Sequence, residues 1–162
     1  MSTWAGPLAG EHERKWGPMN DLDDVLRSMT FDFFGKGRHK TTPLQLLAAE
    51  GAVFLDVRSP DEVARVPLPL ANDVCAMQIP IHELPDRWSE VPRDRLVGVF
   101  CASDIRSSVA YAYLRCRGHE NVRIVTGGYA ALLEELKPGR IWARCAAGAA
   151  SPCPHGAGSR AT

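Results

Sequence analysis

The sequence has no surplus of charge of either sign: Lys+Arg and Asp+Glu both number 19 in 162 residues. A chain that binds nucleic acid usually carries a basic excess or stripe, so no nucleic-acid partner is expected. No apolar run approaches the roughly 20 residues that a membrane span needs. The opening MSTWAGPLAGEHERKWG lacks the apolar core of a secretion signal. No internal repeat is visible, and no CxxC pair. The cysteines, Cys75, Cys101, Cys116, Cys145 and Cys153, are five in number, and their spacing matches no zinc site. His39, His82 and His119 are equally scattered, so no metal is expected. A disulfide framework suits small secreted domains, and the thiols are expected to be mostly reduced. These absences describe a soluble, cytoplasmic protein with no membrane partner.

What is present is enough apolar residue, 45%, for one core. Residues 1–20 hold Gly, Pro and mixed charge without period and are expected to form a flexible tail. DLDDVLRSM, from Asp21, predicts a short helix with acids in its first turn, where the dipole favours them. FDFFGKGRHK reads as a loop that pins Phe31, Phe33 and Phe34 onto the domain or, alternatively, as a small anion-binding loop; residues 21–40 are thus a leading helix and an aromatic, Gly-rich loop. TTPLQLLAAEG predicts a helix with Thr42 as N-cap, Pro43 at the first position and Gly51 as stop. AVFLDV is an apolar strand. RSPDEVARV starts a helix with Ser59 as N-cap and Glu62 in a capping box. AMQIPI reads as a strand, HELPDRWSEV as helical, LVGVF as a strand buried on both faces. A helix from Ser103 or Asp104 to Arg117, the strand NVRIVTGG and the helix YAALLEELK come next, the last ended by Pro138 and Gly139.

Helices alternating with short, wholly apolar strands imply an α/β fold with a central parallel sheet and helices on both faces. The domain is expected over 41–143. Residues 144–162, small and rich in Pro and Gly, predict a disordered tail.

In such a sheet, ligands bind beyond the carboxyl ends of the strands. Cys101 lies at one such end, immediately before a helix. Unpaired N–H groups at a helix N-terminus carry about half a positive charge. They stabilise a thiolate and would hold an anion attached to its sulfur. Arg106 and the hydroxyls of Ser103, Ser107 and Ser108 add donors.

DVRSPDE (Asp56–Glu62), C-x4-R-S (Cys101–Ser107) and GGYAAL (Gly127–Leu132) together resemble a single-domain rhodanese, from about Thr41 to Leu136. AMQIPIHEL resembles that family's second strand and the stretch after it. The resemblance implies a rhodanese-like fold and sulfane-sulfur transfer. A cysteine thiolate takes the outer sulfur of thiosulfate or a persulfide, holds it as a persulfide and passes it to cyanide or a thiol. Carried over, Cys101 is the nucleophile, and Ala102, Ser103, Asp104, Ile105, Arg106 and Ser107 form the substrate cradle. Asp56 and Arg58 support the site, Asp56 structurally, Arg58 as an ion pair, helix cap or substrate contact. No cofactor is implied. The partners are a small sulfur donor, a thiol or cyanide acceptor and, in one version, a protein persulfide. Phosphatases similar in fold use C-x5-R, one residue longer than the loop here.

Three departures from the family pattern stand out. Asp104 replaces a glycine common in the active loop; Asp tolerates left-handed angles, but its carboxylate repels an anionic donor. Ala102 stands where a cationic side chain is often found. VPLPLANDVCA replaces the turn GHIPGA and brings in Cys75, either a buried core cysteine or a resolving thiol. Cys116 is too far along the helix to pair with Cys101, more than about 20 Å. These departures favour a persulfide over thiosulfate as donor. They also leave a second reading: a catalytically weak rhodanese-fold module that binds a partner protein through FDFF.

Overall fold

The computed structural model describes residues 20–70 and 74–146, the Cys145 side chain excepted. Two short helices, α1 (Leu22–Ser28) and α2 (Phe31–Gly35), lead into strand β1 (Lys40–Thr41) and helix α3 (Pro43–Ala48). Strand β2 (Val53–Asp56), helix α4 (Pro60–Arg65) and strand β3 (Cys75–Gln78) come after them. Next are helix α5 (Leu84–Arg87), a 3-10 turn (Trp88–Glu90), strand β4 (Val97–Phe100) and the long helix α6 (Ile105–Cys116). Strand β5 (Val122–Val125) and helices α7 (Gly128–Glu135) and α8 (Pro138–Ala146) complete the order. The helix starts obey local chemistry. Thr42 and Ser59 each close a capping box, with Gln45 and Glu62, and each precedes a proline whose missing N–H costs the first turn nothing.

The strands form one five-stranded parallel sheet in the order β1-β5-β4-β2-β3. Strands β2 and β4 are buried at every position, because both faces are covered. Val53, Leu55, Val97 and Val99 face one core with Ala110, Tyr111 and Leu114 of α6. The alternate residues Phe54 and Phe100 face the other, with Leu46, Leu47 and Leu132. Gly98 is where the second layer comes closest, since a Cβ there would run into Leu46.

Two expectations need correction at the ends. FDFF is not a loop: Thr30 accepts a hydrogen bond from the Phe33 amide and starts α2. Only Phe33 is buried, while Phe31 is 94% exposed. The turn spaces the aromatics around a helix, so they cannot all face inward. YAALLEELK is not the final helix: it stops at Glu135, and Pro138 opens α8, in which Arg144 is buried and donates to the Glu135 carbonyl. The expected tail therefore gives up residues 144–146 to a helix. The remainder of that tail, most of the N-terminal one, Cys153 and residues 71–73 of the rewritten turn lie outside the described residues. Among the described residues, no helix is long and apolar enough to cross a membrane.

Candidate active site

Neighbouring strands β2 and β4 end level with each other, Asp56 beside Phe100. Each runs directly into a loop and a helix, so two strand-to-helix junctions stand side by side at the carboxyl edge of the sheet.

The first junction is a closed polar network. Arg58 is fully buried, and its Nε donates to both Asp56 carboxylate oxygens at 2.9 Å. Its Nη2 reaches Asp56 Oδ2 at 2.5 Å, and Nη1 donates to the Val66 carbonyl at 3.0 Å and to the Tyr129 hydroxyl. The guanidinium also stacks between aromatic faces, 5.1 Å from the Tyr129 centroid and 5.5 Å from that of Phe100. A buried charge is tolerated only when paired and bonded in this way. Arg58 is therefore a support and not a surface group, and Asp56 is its counter-ion.

The second junction carries Cys101, which is 0% exposed and forms the floor of the loop. Its Sγ accepts the Ser107 amide proton at 3.3 Å and lies 3.5 Å from Ser107 Oγ. The Ser107 and Ser108 hydroxyls donate to the Asp104 carbonyl at 3.0 and 2.8 Å. This closes the ring from Cys101 to Ser107. No backbone hydrogen bond from the amides of Ala102, Ser103 or Asp104 is found among the described residues, and Ile105 and Arg106 form the first turn of α6. Asp104 adopts φ 61°, the only non-glycine among the described residues with positive φ. It has taken over the left-handed backbone that glycine adopts freely. Its side chain makes no cap hydrogen bond, and Oδ1 is buried without a partner. Ile105 is 71% exposed, so it contributes backbone to the ring while its side chain faces out.

Arg106 is turned toward the first junction. It grips the Glu62 carboxylate with both terminal nitrogens, at 2.5 and 2.6 Å. That bond, helped by the Ser59 amide, lowers the Glu62 carboxyl to about 2. The same bond raises Arg106 above its ordinary value. Glu62 thus serves the capping box of α4 and the active loop at once. The capping box was readable in the sequence; the partnership with Arg106, 44 residues away, was not. Nor did the sequence assign a role to Tyr129 or Gly128. Gly128, at φ 53°, lets the turn before α7 approach the loop: a Cβ there would stand 2.9 Å from the Ala102 carbonyl.

A model of the rhodanese-like domain matches residues 42–135, more than half the chain. The chain belongs to the rhodanese-like domain family. Within that family it is 38% identical over 84 residues to a sulfurtransferase from Allochromatium vinosum, covering 52% of this chain and 74% of that protein. It is 35% identical to the tRNA sulfurtransferase of Edwardsiella ictaluri over 47% of this chain but only 16% of that much longer protein. Among solved structures, it resembles a rhodanese-related protein from Thermoplasma volcanium, with TM-score 0.52 and 30% identity over 62% of this chain and 95% of that one.

This rhodanese-like domain differs from expectation at Cys75. The register pairs Cys75 with Val53, at the edge of the sheet opposite the loop. It lies about 13 Å along the strands and about 10 Å across them from Cys101, beyond the reach of a disulfide or a relay. Cys75 is half-buried and disulfide-bonded rather than reduced, and so neither the buried core cysteine nor the resolving thiol of the two expectations. Cys101 and Cys116 are free. Among the described residues, no group of three or more His, Cys, Asp or Glu side chains could hold a metal ion.

Proposed function

We propose that this protein is a sulfurtransferase that carries sulfane sulfur on Cys101. The observation that carries the reading is the position of the sulfur: buried at the floor of the ring from Cys101 to Ser107, 3.3 Å from the Ser107 amide at the start of α6. Family membership and the sulfurtransferase from Allochromatium vinosum support the reaction class.

The Cys101 thiolate attacks the outer sulfur of a donor persulfide, R–S–SH. The inner S–S bond breaks, the donor leaves as R–S⁻, and Cys101 holds S–SH. The loop amides stabilise this anion after it loses its proton, in the manner of an oxyanion hole. A thiolate or cyanide then attacks the outer sulfur, leaves as the persulfide or thiocyanate, and restores the Cys101 thiolate. Because Cys101 is fully buried, a terminal sulfur atom reaches it more readily than a bulky centre. The unpartnered Asp104 carboxylate and the occupied Arg106 leave little to attract a dianion, which supports a low-molecular-weight or protein persulfide over thiosulfate as donor. The compartment is read as the cytoplasm.

Intact-protein mass after brief exposure to glutathione persulfide, and separately to thiosulfate, tests this. The expected result is a gain of one sulfur atom, absent in Cys101→Ser and removed by cyanide. No gain from either donor in folded protein overturns it. The second reading, a partner-binding module, draws on the near-complete exposure of Phe31, and it gains the weight if Cys101 takes up no sulfur.

A further inference from the structure

Helix α6 runs from the active loop back across β5 to the opposite edge of the sheet. Its last turn and the start of β5 border a cavity of about 270 Å³, walled by Phe33, Ser28, Glu120 and three arginines, Arg38, Arg115 and Arg123. Arg115 is about 15 Å along α6 from the loop, so the cavity is separate from the Cys101 ring.

None of the three guanidiniums makes an ion pair among the described residues, unlike the arginines of α1, α5 and the active loop. Arg123 is satisfied only by carbonyls, those of Glu120 at 2.8 Å and Val122 at 2.6 Å. Arg115 reaches the Tyr111 hydroxyl at 3.4 Å, while its Nε–H is buried with no partner. A buried guanidinium N–H without an acceptor is costly. Burial pulls Arg123 below its ordinary value, and the Arg115 charge adds to this against an opposing effect of Tyr111. One carboxylate, Glu120, faces three positive charges. A carboxylate ligand would leave one charge uncompensated, whereas a phosphate dianion balances the surplus. Guanidinium forks match phosphate oxygens geometrically, and Phe33 offers an apolar wall for the remainder of a small molecule.

We propose that Arg38, Arg115 and Arg123 form a binding site for a small phosphate-bearing anion, distinct from the sulfur-transfer loop. The test is isothermal titration of the full chain with inorganic phosphate and with phenyl phosphate, at constant ionic strength, with acetate as control. Saturable binding is expected, with Kd below about 1 mM. It should weaken about tenfold in Arg115→Gln and in Arg123→Gln, each of which removes a charge-assisted hydrogen bond. Arg38→Gln, on an exposed turn, is the variant that cannot fail for want of folding, and it should also weaken binding. Tighter binding of phenyl phosphate assigns an ester; equal affinities assign free phosphate. Binding that is unchanged in all three variants lies elsewhere on the chain and overturns the proposal. So does acetate binding as tightly as phosphate, or no binding up to about 10 mM.

Discussion

The two strand-to-helix junctions at the carboxyl edge share one architecture and treat polarity in opposite ways. From β2 to α4, the buried groups are partnered: Asp56 with Arg58, and Arg58 with the Val66 carbonyl and the Tyr129 hydroxyl, while Ser59 and Glu62 cap each other. From β4 to α6, the loop has a left-handed Asp104 without a cap bond, a buried Asp104 Oδ1 without a partner and a buried thiol. Satisfied polar groups make a rigid element, and an unsatisfied buried one is a cost that calls for an explanation. The closed junction lies against the open one and holds it in shape through Arg106–Glu62 and the Phe100 and Tyr129 rings around Arg58. On this view reactivity at Cys101 depends on order at Arg58.

The comparison breaks outright at the thiol. Cys101→Ser leaves the fold intact, since Ser fits the same floor, and should cut sulfur transfer by more than about a thousandfold. Steady-state assay with a persulfide donor, with circular dichroism as the fold control, measures this. A variant retaining a tenth of the activity would place the chemistry elsewhere.

The next largest effect belongs to the closed junction. Asp56→Asn leaves the fully buried Arg58 without its counter-ion. Removing one partner of a buried pair typically costs about 3–5 kcal/mol, and urea unfolding should register a loss of that order. Because Arg58 also supports the loop, activity should fall in protein that is still folded. Stability loss with unchanged turnover would separate the two junctions that the structure ties together.

A control lies outside both. His119 is 2% exposed and packs edge-on against Trp88. Burial first, and then Arg93, lower its pKa to about 4. The unfolded chain takes up that proton near the ordinary value, about 6.5. The folded state is thus undiminished above about pH 6.5 and loses stability as pH falls toward 4, by up to roughly 3 kcal/mol. Unfolding at pH 7 and pH 5 should show this slope, and His119→Leu should flatten it without touching turnover at pH 7.

Much of this was legible beforehand because it depends on short-range chemistry. Capping residues marked the starts of α3 and α4, and wholly apolar runs marked β2 and β4 as strands covered on both faces. The resemblance rested on motifs contiguous in sequence, and the family match over residues 42–135 spans all of them. What escaped depends on distant partners or on context. Arg106 finds Glu62 across 44 residues, and Tyr129 finds Arg58 across 71. Pro138 reads equally as a stop or as a first helical residue, and only α8 packing on α7 decides. The place of Cys75 is set by the register of β3, which no local pattern encodes.

Asp104→Gly sharpens the comparison on the open side. Glycine adopts φ 61° without strain, so stability should hold or rise by about 1 kcal/mol. Removing the carboxylate from the loop should raise kcat/KM for thiosulfate about tenfold, the equivalent of one unit of like-charge repulsion. Persulfide turnover should move less, since that donor need not bring two negative charges. Equal gains for both donors would mean that Asp104 acts on the thiol and not on donor choice.

The smallest expected effect tests the tie itself. Glu62→Gln keeps the capping box geometry but removes the charge that grips Arg106. Glu62 is about a third exposed, so solvent screening limits the pair to less than about 1 kcal/mol. Its carboxyl sits at about 2 in the fold against an ordinary value near 4.3. The contribution is therefore complete above about pH 4.3 and disappears as pH falls toward 2. Acid unfolding of the variant should lose this part of the slope and little else. Turnover is the sharper readout. If Arg106 must be anchored for the ring to keep its shape, kcat should fall several-fold at pH 7 while stability barely changes. If kcat is unchanged, Ser107 and Ser108 bonding to Asp104 is enough to hold the ring, and the cradle is self-supporting.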